Sequence, residues 1–526
     1  MAPETRSISP TLLELPLELL LLIWDHLGIY DAFALRLVCR ELASRLFETF
    51  CTEFFTERRF SISYYSLNAL LEITKHPDLK KWLKHLTIGL DRFDSADALP
   101  RVVDNWDHET HPARASSDAK YYRLEALNQE QNFLLSSGKF QLMMSQALIA
   151  LPDLQSLVLR DRNAPKKLKR SGANPLLASF GAERVFRETG CDLTSDVPNA
   201  HLGAHDDRFV DSVFQATLLA LVQGQSKIDA LVVDIQKDNL GLSSSAFSLP
   251  ECFLADIYPI LSRLRSLHLS VSITRSALGS YSDRSQSFLR WQTHQLASFL
   301  QQVPNLTSMC IQCKELGHFP QEIIRGLADI LDPPETLEHH LDSELNRPNI
   351  YRDTSSIPPV LPHCFHSLKE LELENMTSSI VPMSRLLKPL AGTLRRLTLR
   401  KLALSVSESD AELDNDYRQP NAWSTLFQHM IYPLELKLEH LELAALEHHT
   451  KSCSDRNNGH PVAFLPSAMG VQSGPDNGLL HAWLHDGSSM DIRNFLEELH
   501  PKTMILCARC KQRNPGYRSV EEILEL

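Results

Sequence analysis

The chain has 526 residues, long enough for two to four domains, and a composition of 43% hydrophobic and 22% charged residues suits a folded protein with a large core. Its net charge of −12 argues against nucleic acid as the main partner, because phosphate binding is built from an excess of Lys and Arg. Ten cysteines are too sparse for a disulfide framework and point to reduced thiols inside a cell.

The first predicted element lies in Leu15–Leu42, LPLELLLLIWDHLGIYDAFALRLVCREL. Its apolar run Leu19–Trp24 has Glu14 and Glu18 before it and Asp25 and His26 after it, and it is too short for a membrane of roughly 30 Å. Pro16 suits the first turn of a helix. Leu19, Ile23 and Leu27 mark one face at i, i+4, i+8, and Leu17, Leu20/Leu21 and Trp24 mark another. Gly28 is expected to end this helix and Asp31 to cap a second one, with Phe33, Leu35 and Val38 facing inward. A third short helix follows from Cys39–Arg40, with Leu42, Leu46 and Phe47 apolar. A helix apolar on two faces inside so small a unit needs a second surface to cover it. Periodicity alone leaves open whether that surface is another chain or the remainder of this one.

Leu15-Pro16, Glu18-Leu19-Leu20, Ile23, Leu27, Asp31, Leu35 and Val38-Cys39-Arg40 resemble, in order and spacing, the F-box motif over roughly residues 9–52. The usual aromatic residue of the third helix is replaced by Leu42 or shifted to Phe47. The resemblance implies docking to the small Skp-type adaptor of cullin–RING ubiquitin ligases. The residues it implies for that contact are Leu15, Pro16, Leu19, Leu20, Ile23, Leu27, Leu35, Val38 and Cys39.

Further along, stretches of the form LxxLxL begin at 83, 154, 228, 264, 306, 368, 394 and 438. The last two apolar residues of each stretch suit one face of a strand of period 2, and the first suits the turn leading in. Stacked units of this kind give a parallel sheet with a continuous leucine core, a pattern that resembles leucine-rich repeats. The spacing is irregular and the usual Asn or Cys after the strand is mostly missing, so the asparagine ladder of that family is in doubt. Helices are predicted over Tyr121–Leu135, Phe140–Ile149, Asp211–Val222, Phe288–Gln301, Pro320–Leu331 and Met383–Leu390, and loops over 104–120, 161–176, 188–208, 334–362, 405–420 and 450–478. The expected fold is therefore α/β. A three-helix F-box-like module at 9–52 precedes an irregular leucine-rich-repeat solenoid at 60–506, with a curved parallel sheet and long loop insertions, and a tail follows at 507–526.

Beside the buried leucines, Arg160, Asp234, His268, Ser270, Gln312, Glu372, Glu374, Arg400 and Glu442 are expected on the opposite, exposed sheet face, the usual binding surface of a solenoid. Glu372/Glu374, Arg400 and Glu442 fall on consecutive units, and cross-strand salt pairing is favoured over a charged-ligand site.

The remaining motifs give little chemistry. Cys310 and Cys313 sit in a predicted strand, where alternation turns them to opposite faces. Cys507 and Cys510, with His500 nearby, form a zinc candidate in the tail, set against a terminal strand with free thiols. Asp107-His108-Glu109-Thr110-His111 is one residue short of HExxH, and neither His339-His340 nor His448-His449 suits one helix face. Pro165–Arg170 (PKKLKR) is a basic run that fits either a nuclear localisation signal or a solvated loop. No Walker, GxGxxG or GxSxG loop occurs. These readings lead to a soluble, non-enzymatic substrate adaptor, cytoplasmic or nuclear, without cofactor, metal, membrane or nucleic-acid partner. It would join a Skp-type adaptor to an unidentified protein substrate. The alternative is a scaffold whose F-box-like helices pack on its own solenoid.

Overall fold

The computed structural model describes residues 12–93, 111–163, 178–193, 208–237, 241–272, 293–314, 322–331, 365–405, 421–449, 460–464, 481–484, 491–506 and 517–518. The chain divides into two compact units. The first comprises Met1–Ala204, Ala216–Lys227 and Gln236–Asp238; the second comprises His205–Gln215, Ile228–Ile235 and Asn239–Leu526.

The first unit opens with four short helices: α1 (Leu17–His26), α2 (Ile29–Leu37), α3 (Arg40–Arg45) and α4 (Phe47–Phe54). Pro16 stands at the N-cap of α1, its carbonyl accepting the Leu19 and Leu20 N–H groups. Gly28 does not terminate α1 by a left-handed turn. It is extended (φ −63°, ψ 163°) and forms the N-cap of α2, its carbonyl accepting the Ala32 N–H at 2.9 Å. Asp31 lies inside the first turn, where its charge still favours the positive helix end. The expected third helix breaks at Leu46 (φ −94°, ψ 0°) into α3 and α4. Leu20, Trp24, Ala32, Leu42, Leu46, Phe50, Cys51 and Phe54 form the core, and Leu79 and Trp82 from beyond the helices pack against it.

Strands β1 (Glu57–Ser61), β2 (His85–Gly89) and β3 (Ser156–Arg160) then pair in parallel, with helix α5 (Tyr64–Lys75) between the first two. Sequence periodicity missed β1 because Arg58 and Arg59 interrupt its apolar pattern. Arg59 is buried, and its guanidinium donates to Asp91 Oδ1 at 2.7 Å, Asn163 Oδ1 at 2.6 Å and the Arg162 carbonyl at 2.7 Å. The second oxygen of Asp91 accepts the Ser179 hydroxyl at 2.6 Å. Gly89 lies against this polar core, where a Cβ would run into the Asp91, Ser179 and Arg59 side chains. The helix His111–Ser136 begins inside the stretch expected as loop 104–120, while Lys139–Ile149 closely matches its predicted helix.

The second unit contributes β4 (Ala230–Asp234), β5 (Ser266–Val271) and β6 (Ser308–Cys313). Next come β7 (Glu370–Glu374) and β8 (Thr377–Ser379), β9 (Arg396–Arg400) and β10 (Ala403–Ser405), and β11 (His440–Ala444) and β12 (Glu447–His449). It ends with β13 (His460–Phe464), β14 (His481–Leu484), β15 (Thr503–Leu506) and β16 (Tyr517–Arg518). Strands β4, β5, β6, β7, β9 and β11 pair in parallel in chain order, and β14 adds antiparallel to β11. A second sheet, not foreseen, runs β16-β15-β13-β12-β10-β8. Its β16 joins the expected tail to β15.

Each of the eight LxxLxL stretches produces a strand two residues after its first apolar position. Leu368 before β7 with Leu371 and Leu373 on it, and Leu394 before β9 with Leu397 and Leu399 on it, are at most 1% exposed. Irregular spacing in sequence thus does not disturb the ladder: the insertions fall between strands. Asn375, Lys401 and Ala445 follow β7, β9 and β11 in the same left-handed conformation, with φ of 58°, 49° and 50°. That turn redirects the chain from the first sheet into the second in three successive units.

Candidate functional site

Helices α1 and α2 carry the first candidate surface. On α1 the i, i+4 pair Leu20–Trp24 is wholly buried, and Trp24 Nε1 donates to Glu53 at 2.7 Å. Leu17, Leu19 and Leu22 point away, 43%, 46% and 56% exposed. On α2 and just after it, Tyr30, Leu37 and Val38 are 83%, 80% and 70% exposed. Arg45 fixes the approach to α1 by donating to the Leu13 and Leu15 carbonyls at 2.7 and 2.5 Å.

Of the residues singled out from sequence, Pro16, Leu19 and Val38 are exposed, and Leu15, Ile23, Leu27, Leu35 and Cys39 are partly buried. Leu20 is corrected to a core residue with no exposed area, because it faces Trp24 and the α3–α4 helices rather than solvent. Cys39 caps α3, its Sγ accepting the Leu42 N–H at 3.5 Å. Sequence reasoning left out Leu17, Leu22, Tyr30 and Leu37. With Trp24 fixed as core by its size, the helical phase of Leu22 places it outside, whereas Leu17 shares the phase of Trp24 and is exposed as the first residue of α1.

The second candidate is the polar face of the parallel sheet. Register aligns His268, Cys310, Glu372, Thr398 and Glu442 in one row, and Ser270, Gln312, Glu374, Arg400 and Ala444 in the next. Arg400 therefore stands directly beside Glu374, yet its guanidinium bonds diagonally. It donates to Glu372 Oε1 at 2.7 Å and to both carboxylate oxygens of Glu442 at 2.9 and 3.0 Å. Between those acids the row holds Thr398, short enough for the guanidinium to span it. Glu374 is paired instead with Lys401 at 3.4 Å. The cross-strand ion pairing favoured from sequence is thus formed.

Burial raises the Glu372 carboxyl above its ordinary range, with Arg400 partly opposing the shift. Burial, followed by Glu372, Glu374 and Asp234, also pushes the Cys310 thiol up, which holds it as a neutral thiol rather than a nucleophile. Asp234 and Ser270 are corrected from exposed to buried positions, at 3% and 0%. They lie at strand ends where the chain folds over them, and Ser270 donates to Gln312 Oε1 at 3.2 Å. Arg160 is partly buried at the end of β3, in the first unit.

Cys310 is partly exposed and Cys313 buried, as alternation on β6 requires. His448 is fully buried on β12, and His449 beside it faces the other way, half-buried. Among the described residues, no group of three or more His, Cys, Asp or Glu side chains could hold a metal ion, and no helix is long and apolar enough to cross a membrane. Cys507 and Cys510, the basic run 165–170, residues 107–110 and His339-His340 lie outside the described residues.

No curated protein matches the chain. The family model described as F-box domain matches residues 12–46, the segment in which Leu17, Leu19, Leu22, Tyr30, Leu37 and Val38 remain uncovered around a closed core, and on that match the chain carries an F-box domain at its first helices.

Proposed function

We propose that the chain is the substrate-recognition subunit of a Skp–cullin–F-box ubiquitin ligase. In this reading α1 and α2 dock the Skp-type adaptor, and the polar face of a leucine-rich-repeat-like sheet holds a protein substrate. The chain supplies no acid, base or nucleophile. It raises the effective concentration of substrate lysines near a ubiquitin-charged enzyme.

The observation that carries the reading is the division of α1 and α2 into a sealed core and an uncovered apolar face. Leu20, Trp24 and Ala32 are fully buried, while Leu19, Leu22, Tyr30 and Leu37 stay in solvent. Apolar patches of this kind mark interaction sites, and exposed leucines with a tyrosine suit a protein partner. It also speaks against the scaffold alternative, in which the chain's own body would cover these side chains.

Co-purification tests it. Full-length protein should form a stoichiometric complex with a Skp-type adaptor, and Leu19→Asp should lose the complex while unfolding at the same temperature. An equally tight complex with Leu19→Asp, or none with the unaltered chain, would sink the proposal.

A further inference from the structure

We propose that the first unit carries a second binding site, for a carboxylate or phosphate group borne on an aromatic ring, at the start of α5. A cavity of about 260 Å³ opens there, with Tyr64, Tyr65, Phe180, Arg123, Arg184 and Glu188 in its walls. Its volume lies just below the usual range of ligand pockets, which suits one ring-sized group.

The aromatic wall is built rather than incidental. Tyr65 stacks on Phe180 with centroids 5.6 Å apart and planes at 27°, and the Arg184 guanidinium covers the Tyr65 ring at 4.4 Å. Gly181, at φ +88°, lets the chain pass this close: a Cβ there would sit 3.0 Å from the Tyr65 ring. Yet Tyr64 and Tyr65 remain 52% and 47% exposed, so ring surface is left for a ligand.

Two arginines and two glutamates line the same place, and the ion pairing there is uneven. Glu188 is the single carboxylate shared by two arginines, accepting from Arg184 Nε at 2.7 Å and from Arg123 Nε at 2.9 Å. Both contacts use Nε, which leaves the terminal N–H groups of the two guanidiniums without a second acid partner among the described residues. Those groups form the planar forks that bind carboxylate and phosphate. Glu130, also at the cavity, is already engaged by the Tyr64 N–H at 2.7 Å. It stands seven residues along the same helix from Arg123, about 10 Å by helical rise, roughly one Debye length at 0.1 M salt. The ligand chemistry that answers these features is an anion for the arginines and a flat ring for the tyrosines.

Titrating full-length protein with phenyl phosphate, benzoate and inorganic phosphate tests the site without reference to the ubiquitin ligase reading. Saturable binding of phenyl phosphate or benzoate is expected, at least 5-fold tighter than inorganic phosphate, and whichever binds better identifies the anion. Arg184→Gln and Arg123→Gln lie on separate helices, and each should weaken that binding at least 10-fold with the unfolding temperature unchanged. Absence of saturable binding by either aromatic probe overturns the site, as does binding indifferent to both substitutions. Inorganic phosphate binding as tightly as phenyl phosphate overturns the part assigned to the tyrosines.

Discussion

The docking surface permits a graded test, because exposure on α1 and α2 varies residue by residue. Fully burying a leucine side chain is worth about 1.5–3 kcal/mol. Leu19 is 46% exposed, so covering the rest contributes at most about 0.7–1.4 kcal/mol. Leu37, at 80%, contributes up to about 1.2–2.4 kcal/mol. Truncation to alanine should therefore weaken adaptor binding roughly 3- to 10-fold at Leu19 and roughly 10- to 50-fold at Leu37, since 1.4 kcal/mol is about tenfold. Leu19→Asp adds the cost of desolvating a carboxylate, several kcal/mol, and should exceed about 100-fold. Leu20 is the internal control. With no exposed area it adds nothing directly to an interface, and Leu20→Ala should instead cost about 2–5 kcal/mol of stability by opening a cavity beside Trp24. Adaptor titration by calorimetry, run with thermal unfolding of each variant, separates the two effects. If Leu20→Ala weakens binding at unchanged stability while Leu37→Ala and Leu19→Asp bind normally, the division into inner and outer faces is wrong.

Three further outcomes follow from buried or strained positions. Asp91→Ala should destabilise the first unit by about 3–5 kcal/mol, because it strands the buried Arg59 guanidinium, whereas Arg59→Met with Asp91→Ala should recover part of the loss; urea unfolding in which the double variant is no better than Asp91→Ala alone would contradict this. Ala445→Gly should raise stability by up to about 1 kcal/mol by relieving the left-handed backbone at φ 50°, and a fall in the denaturant midpoint would count against it. Burial, with His460 and His449 adding to it, holds the imidazole of His448 down to about 3 against an ordinary 6.5. The unfolded chain therefore binds the extra proton first, and stability falls as pH drops from 6.5 toward 3. Between pH 6.5 and 5 the unaltered protein should lose about 1.6 kcal/mol more than His448→Gln; equal losses in the two proteins would refute the linkage.

What could be read from the sequence, and what could not, divides along the range of the interactions. The LxxLxL stretches revealed their strands because burial of alternate leucines is a local pattern, and the register of β5 through β11 preserves it whatever the insertions contain. β1 escaped because its central residue is a charge, acceptable only since Asp91, Asn163 and the Arg162 carbonyl arrive from up to 104 residues away. β8, β10 and β12 are three residues each, too short for any period, and depend on the turn at Asn375, Lys401 and Ala445. The same distinction governs the candidate sites. The motif located the F-box helices, yet Leu20 was misassigned and Leu37 left out, because an apolar residue on a two-faced helix is assigned to core or surface only by what packs beside it: Trp24, Leu42 and Phe54 enclose one face, and among the described residues none encloses the other. A helix that closes its own core on one side and leaves leucines uncovered on the other has surface to gain from a second protein, which is why the leucine excess at the start of the chain reads as an interface and not as a surplus of core.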